Sequence, residues 1–98
     1  MTVLTTVVFA DISGSVALYE TLGNEHAAAA VAQLTQWISV SIQSQAGRVV
    51  KKLGDGVLGV FGDAAAAVAA TAEMLQAHEE RLALWPYPLR MDIRVGVA

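Results

Sequence analysis

Two aspartates stand where the chain reads as turning. Asp11 follows directly on VLTTVVFA at 3–10, and Asp55 lies between Gly54 and Gly56. If the first strand pairs beside a hairpin tipped by Asp55, the two carboxylates converge at one sheet edge. Two carboxylates with no cysteine in the chain and no histidine nearby suit hard cations such as Mg²⁺ or Mn²⁺, which take oxygen ligands. Mg²⁺ is typically held by one or two carboxylates together with substrate phosphates. Paired ions about 3.5–4 Å apart can bracket an in-line displacement at phosphorus. Aspartate is also an ordinary turn former, and spacing alone leaves that reading open.

Other residues add weaker signals. Ser13-Gly14-Ser15-Val16 is a small-residue loop entering a helix, and such a loop offers backbone N–H groups to phosphate. It is equally an ordinary connector. Lys51 and Lys52 flank the hairpin, and alternation puts them on opposite faces, so only one can point toward a site. Lysine is also the usual guard of an exposed sheet edge. His26 and His78 fall on helical segments without a second ligand at metal spacing, and read as structural. Trp37 and Trp85 read as core or interface anchors.

These residues need a scaffold. The β-branched run at 3–10 predicts a buried strand broken by the turn-forming DISGS at 11–15. Residues 16–22 predict a short helix stopped by Gly23 and Asn24, with Asn24 capping the next. Over 25–45, Val31, Leu34, Ile38 and Ile42 share one helical face, and Gly47 ends that helix. Strands follow at 48–53 and 57–61, joined by Gly54-Asp55 in a type II′ turn. A helix over 63–84 has Asp63 as its cap and Val68, Ala72, Leu75 and Leu82 as its expected buried stripe. Pro86 and Pro88 punctuate the exit. In LRMDIRVGV at 89–97, Leu89, Met91, Ile93, Val95 and Val97 face one way, and Arg90, Asp92 and Arg94 the other. The order β-α-α-β-β-α-β predicts a ferredoxin-like α+β fold, an antiparallel sheet with helices on one face.

Composition narrows the classes. The chain has 98 residues, enough for one small domain or part of a larger one. It is 55% hydrophobic and 15% charged, which excludes a disordered segment. The absence of cysteine removes disulfide scaffolds, zinc ribbons and thiol nucleophiles, and fits a cytoplasmic setting. A net charge of −3 without a basic stripe makes a poor nucleic-acid binder. No apolar run is long enough to span a bilayer, and residues 2–10 lack the features of a signal peptide.

The motifs together say more. FADISGSVALYE at 9–20 closely resembles the opening motif of the class III adenylate/guanylate cyclase catalytic domain. GRVVKKLGDGVLGVF at 47–61 resembles its metal-binding hairpin, and MDIRVGVA at 91–98 the strand leading to a further glycine-containing segment. The resemblance implies an enzyme that makes cyclic AMP from ATP, or cyclic GMP from GTP, releases pyrophosphate, and serves intracellular signalling. It further implies that Asp11 and Asp55 bind two Mg²⁺ or Mn²⁺ ions and that the Ile12 carbonyl helps hold one. Ser13, Gly14, Ser15 and Val16 would hold the triphosphate through backbone amides, with Gly54 also near substrate. Lys51 would read the purine of the opposite subunit in a head-to-tail homodimer, with Lys52 pointing away. The implied reaction is attack of the ribose 3′-hydroxyl on the α-phosphate.

Two departures stand out. Ser15-Val16 replaces the family's common Phe-Thr or Ser-Thr, which removes one hydroxyl. The chain also ends at Ala98, about half-way through a typical family domain, before the second base-reading residue and the asparagine and arginine that support the transition state. The expectation is therefore the N-terminal half of a cyclase domain, with little or no turnover alone. The alternative is a non-catalytic cyclase-like module for nucleotide sensing or dimerisation. A diguanylate cyclase is disfavoured, since Leu53-Gly54-Asp55-Gly56 lacks that family's adjacent glycines and following acidic residues.

Overall fold

The computed structural model describes residues 5–84 and 91–98. The elements run β1 (Thr6–Ser13), α1 (Ser15–Leu22), α2 (Asn24–Ser44), β2 (Arg48–Leu53), β3 (Gly56–Phe61), α3 (Ala64–Leu82) and β4 (Asp92–Val97). The strands form one antiparallel sheet in the order β2-β3-β1-β4. This is the expected α+β plan, and alternation along β1 shows which face the helices cover. Val8, Ala10 and Ile12 are buried, whereas Phe9 is 39% exposed. Val57 on β3 and Ile93 on β4 join the buried side, with Leu18, Val31, Leu34, Ile38 and Ile42 from the helices. The other face carries no helix among the described residues.

The first strand runs further than its β-branched segment suggests. The residues at 11–13 continue β1 instead of turning, because both neighbours hold them: Asp11 pairs with Gly56 and Arg94, Ile12 with Ile93, and Ser13 with Asp92. Ile12 supplies a buried side chain at the position the alternation requires. Val3 and Leu4 of the expected strand lie outside the described residues, as do Trp85, Pro86, Pro88, Leu89 and Arg90.

The helix ends differ from expectation in detail. Gly23, with φ 82°, is both the C-cap of α1 and the N-cap of α2, so Asn24 is the first helical residue and not the cap. At the far end of α2 the left-handed position falls on Ala46, with φ 66°. The Ala46 N–H bonds the Gln43 carbonyl at 3.2 Å and the Gly47 N–H the Ile42 carbonyl at 2.9 Å, a Schellman closure. Glycine is required at 47 for space and not for φ: a Cβ there would stand 2.6 Å from Phe61 Cζ and 2.7 Å from Ile42 Cγ2. Asp63 does cap α3, its Oδ1 accepting from the Ala65 N–H at 3.0 Å.

Two further expectations fail. The stripe assigned to the core of α3 faces largely outward: Val68 is 58% and Leu75 39% exposed, and Ala72 is exposed. The buried residues are Ala67, Ala70, Met74 and His78. In an alanine-rich helix two adjacent stripes are both apolar, and the sheet has taken the one whose small residues allow close approach. The hairpin turn is not type II′ either. Gly54 and Asp55 form its two-residue loop, but neither has a positive φ, which type II′ demands at the first position. The β2 bulge between Val49 and Lys51 adds local twist to the arm that this turn closes.

Candidate active site

The acidic pair is built by backbone pairing. Asp11 lies opposite Gly56, the residue after Asp55, on the antiparallel β1–β3 ladder. The Ile12 N–H then bonds the Asp55 carbonyl at 2.8 Å, tying the turn to the strand one residue past Asp11. The aspartates, 44 positions apart in sequence (55 − 11), are thus neighbours in register. Gly56 permits the approach: a Cβ there would meet the Ala10 carbonyl oxygen at 3.1 Å and the Phe9 ring at 3.4 Å. Asp11 is half-buried and Asp55 exposed.

The donor set fits a hard divalent cation. The donors at this end of the sheet are the two carboxylates and the Ile12 carbonyl, all oxygen. Among the described residues no group of three or more histidine, cysteine or acidic side chains could hold a metal, so any ion here needs further oxygens from a ligand or water. Phosphate oxygens would complete such a shell.

The loop after Asp11 is suited to an anion. Gly14 has φ 89°, a conformation that only glycine adopts without strain, and it is the N-cap of α1. No side chain caps this helix and its first turn contains no acidic residue. The first N–H groups after Gly14 therefore meet no side-chain capping oxygen, and they carry the positive end of the helix dipole. Ser13 closes β1 opposite Asp92, Ser15 opens α1, and Val16 is 71% exposed, beside the site instead of under it.

Arg94 is the residue that motif reading left out. It pairs directly with Asp11 on β4 and so shares the helix-free face with it. It puts a basic residue at the position opposite Asp11, at the same end of the sheet as the Gly14 loop. The signal was present in the alternation of β4, which put Arg94 on the polar side, but the pairing partner of β4 was not readable from spacing.

Lys51 lies elsewhere. It is exposed and opposite Leu58 on β2, two strands away from β1. At roughly 4.8 Å per strand that is about 10 Å sideways from the line of Asp11. The expected division of the lysines holds: Lys52, opposite buried Val57, reaches the helix side, where its Nζ donates to Gln36 Oε1 at 2.7 Å. Lys51 is left on the open face. Gly54 has nothing within 4 Å of a notional Cβ, so packing places no demand on glycine there. His78 is a core residue, its Nε2 2.6 Å from the Met91 carbonyl oxygen, and His26 is exposed. Trp37 packs on the core edge with the Arg81 guanidinium 4.4 Å from its ring centre.

The chain thus combines an antiparallel α+β sheet, two aspartates where a strand meets a hairpin tip, and a helix start without a side-chain cap. The comparisons with solved structures assign it: the chain has the fold of the class III adenylyl/guanylyl cyclase domain. It is similar to an adenylate/guanylate cyclase/hydrolase from Silicibacter pomeroyi (30% identity, 96% of this chain and 55% of that one, TM-score 0.75). It is also similar to the adenylyl cyclase CyaB from P. aeruginosa (25% identity, 95% and 54%, TM-score 0.75). The guanylate cyclase domain of RhGC from Catenaria anguillulae, solved with GTP, matches at 20% identity over 95% of this chain and 54% of that one, with TM-score 0.72. The chain thus spans about half the length of these solved chains. No family model and no curated protein matches its sequence.

Proposed function

We propose that this chain is the metal- and triphosphate-binding N-terminal half of a purine nucleotidyl cyclase domain, which forms cyclic AMP or cyclic GMP and pyrophosphate from the nucleoside triphosphate. The carrying observation is the pairing of Asp11 with Gly56 together with the 2.8 Å bond from Ile12 to the Asp55 carbonyl, which brings both aspartates to one end of the sheet.

Each group has a distinct task. Asp11, Asp55 and the Ile12 carbonyl would hold two Mg²⁺ or Mn²⁺ ions, which when bound would supply Lewis acidity to the 3′-hydroxyl and to the triphosphate. The amides that follow Gly14 orient the triphosphate chain, and the α1 dipole favours its charge. Arg94 adds a cationic side chain from the neighbouring strand. Holding the ribose hydroxyl and α-phosphate in line is largely a matter of positioning and preorganised charge. Lys51, displaced from the acidic pair on the open face, suits the base of a nucleotide bound mainly by a second subunit of a homodimer.

The test is Mn²⁺-dependent binding of a non-hydrolysable ATP or GTP analogue to this chain, followed by calorimetry, with Asp11→Asn and Asp55→Asn alongside. Binding should require the metal and be lost in both variants, and the same substitutions should abolish turnover in an intact cyclase domain carrying this chain. Nucleotide binding indifferent to metal and to both substitutions would favour a non-catalytic module.

A further inference from the structure

Among the described residues His78 is the only ionisable side chain that is buried, at 3% exposure. A polar group is costly to bury unless it is bonded, and this one is. Its Nε2 stands 2.6 Å from the Met91 carbonyl oxygen. A carbonyl oxygen only accepts, so Nε2 carries the proton and donates. The imidazole packs beside Trp37 of α2, with ring centres 6.2 Å apart and planes 36° apart, and the Arg81 guanidinium lies over the same Trp37 ring. Met91 is itself 2% exposed, and Asp92, the first residue of β4, follows it.

The start of β4 is the end that meets the acidic corner. Asp92 pairs with Ser13, and Arg94 with Asp11. Val7 and Ala98 exchange both backbone bonds, at 2.8 and 2.9 Å. Alternation along the ladder then makes Phe9–Gly96, Asp11–Arg94 and Ser13–Asp92 bonded pairs too. Ser13–Asp92 is the last rung. One residue beyond it, β1 gives way to Gly14, at φ 89°, and then to α1. One residue beyond it on the other strand is Met91, whose carbonyl His78 holds. An end rung opens more readily than an inner one, since it has a neighbour on one side only. His78 closes this one from the helix layer.

We infer that His78 is a positioning residue for this corner. Its bond to Met91 keeps the last β1–β4 rung closed, and so fixes where Ser13 hands the chain to the Gly14 loop and where Arg94 stands opposite Asp11. The other core-facing residues of α3, Ala67, Ala70 and Met74, restrain the sheet by packing alone, which fixes no direction. His78 adds a directed bond from that helix to the backbone beside the site. A loop that offers backbone N–H groups to an anion depends on being held in place before the ligand arrives. The consequence for ligand binding rests on the proposed reading of the corner as a metal and triphosphate site. The anchor itself does not.

The test is amide hydrogen exchange and calorimetry on the 98-residue chain and four variants. His78→Leu removes the donor at similar volume. His78→Gln keeps an amide N–H able to reach the same oxygen, and His78→Asn carries one too short to reach it. Asp63→Ala removes a bond from the far end of α3 and measures a helix weakened as a whole. His78→Leu is expected to speed exchange at Ser13 and Asp92 roughly tenfold relative to Phe9 and Gly96 on the same ladder, the size of one lost buried hydrogen bond. His78→Asn should do the same, so the expectation survives if the leucine variant fails to fold. His78→Gln should restore the slow rate, and Asp63→Ala should leave the ratio as it was. With Mn²⁺ and a non-hydrolysable ATP analogue, affinity should fall roughly tenfold in His78→Leu and return in His78→Gln. Exchange left unchanged at Ser13 and Asp92, or quickened equally at all four amides, overturns the inference. So does full nucleotide affinity in His78→Leu. An unmodified chain that binds no Mn²⁺–nucleotide, yet shows the expected exchange pattern in its variants, overturns the cyclase reading and leaves the anchor standing.

Discussion

Helices α2 and α3 lie side by side on the same sheet, yet they are held by different physics. Toward the core α2 presents Val31, Leu34, Ile38 and Ile42, branched side chains with at most 6% exposure. No side chain caps its start, and its end is closed by backbone bonds. In α3 the core face is Ala67, Ala70, Met74 and His78, and the start is fixed by Asp63. The first helix is held mainly by burial. The second relies more on alanine's intrinsic preference for helix, its cap, and the hydrogen bond from His78 to Met91. Large side chains on one face announce themselves in sequence, whereas alanines on every face leave the choice of buried side to the tertiary contact.

The contrast predicts a graded series in chemical denaturation. Ile38→Ala in α2 should cost most, about 2–5 kcal/mol, because a fully buried side chain is replaced by a cavity. A loss under about 1 kcal/mol, within the range of an ordinary surface change, would break the view that α2 is held by its core face. Gly47→Ala should cost roughly 1–3 kcal/mol through overpacking, since the new Cβ strikes the buried Phe61 ring and Ile42 at the end of α2. Recovery in the double variant with Phe61→Leu would sharpen the assignment to steric contact as opposed to backbone conformation. Asp63→Ala should cost about 1 kcal/mol, the ordinary value of a lost N-cap. Asp63→Asn should restore most of it, because the amide oxygen can accept the same bond from Ala65.

Much of the molecule was legible in its residues, and the failures share a cause. Element types and order followed from periodicity, and the α2 core face followed from four branched aliphatics at helical spacing. Asp11 and Asp55 were singled out by the motifs they sit in, although Asp11 lies within β1 and not at a turn. What escaped was set by neighbours distant in sequence. Asp11 lies inside β1 because β3 and β4 extend the ladder past it. Arg94 lies opposite Asp11 because β4 pairs with β1, a fact no local window contains. Gly47 is glycine on account of Phe61, and the left-handed φ that a glycine would ordinarily take falls on Ala46 instead. The turn at Gly54-Asp55 followed the same rule: a local preference for type II′ gave way to the twist of a bulged arm.

The smallest expected effect is the most discriminating. Val68 belongs to the stripe that sequence periodicity placed in the core, and the fold leaves it 58% exposed. Val68→Ala should therefore change the stability of the isolated monomer by no more than about 0.5 kcal/mol, as surface substitutions generally do. Met74→Ala, six residues along the same helix on the other stripe, should cost about 2–5 kcal/mol. The ratio decides which stripe meets the sheet, because both changes act on one helix with one cap and the gain in helix propensity, a few tenths of a kcal/mol larger for valine, is small beside the burial term. A Val68→Ala penalty equal to that of Met74→Ala would mean that both stripes are buried, and the distinction between the two helices would collapse.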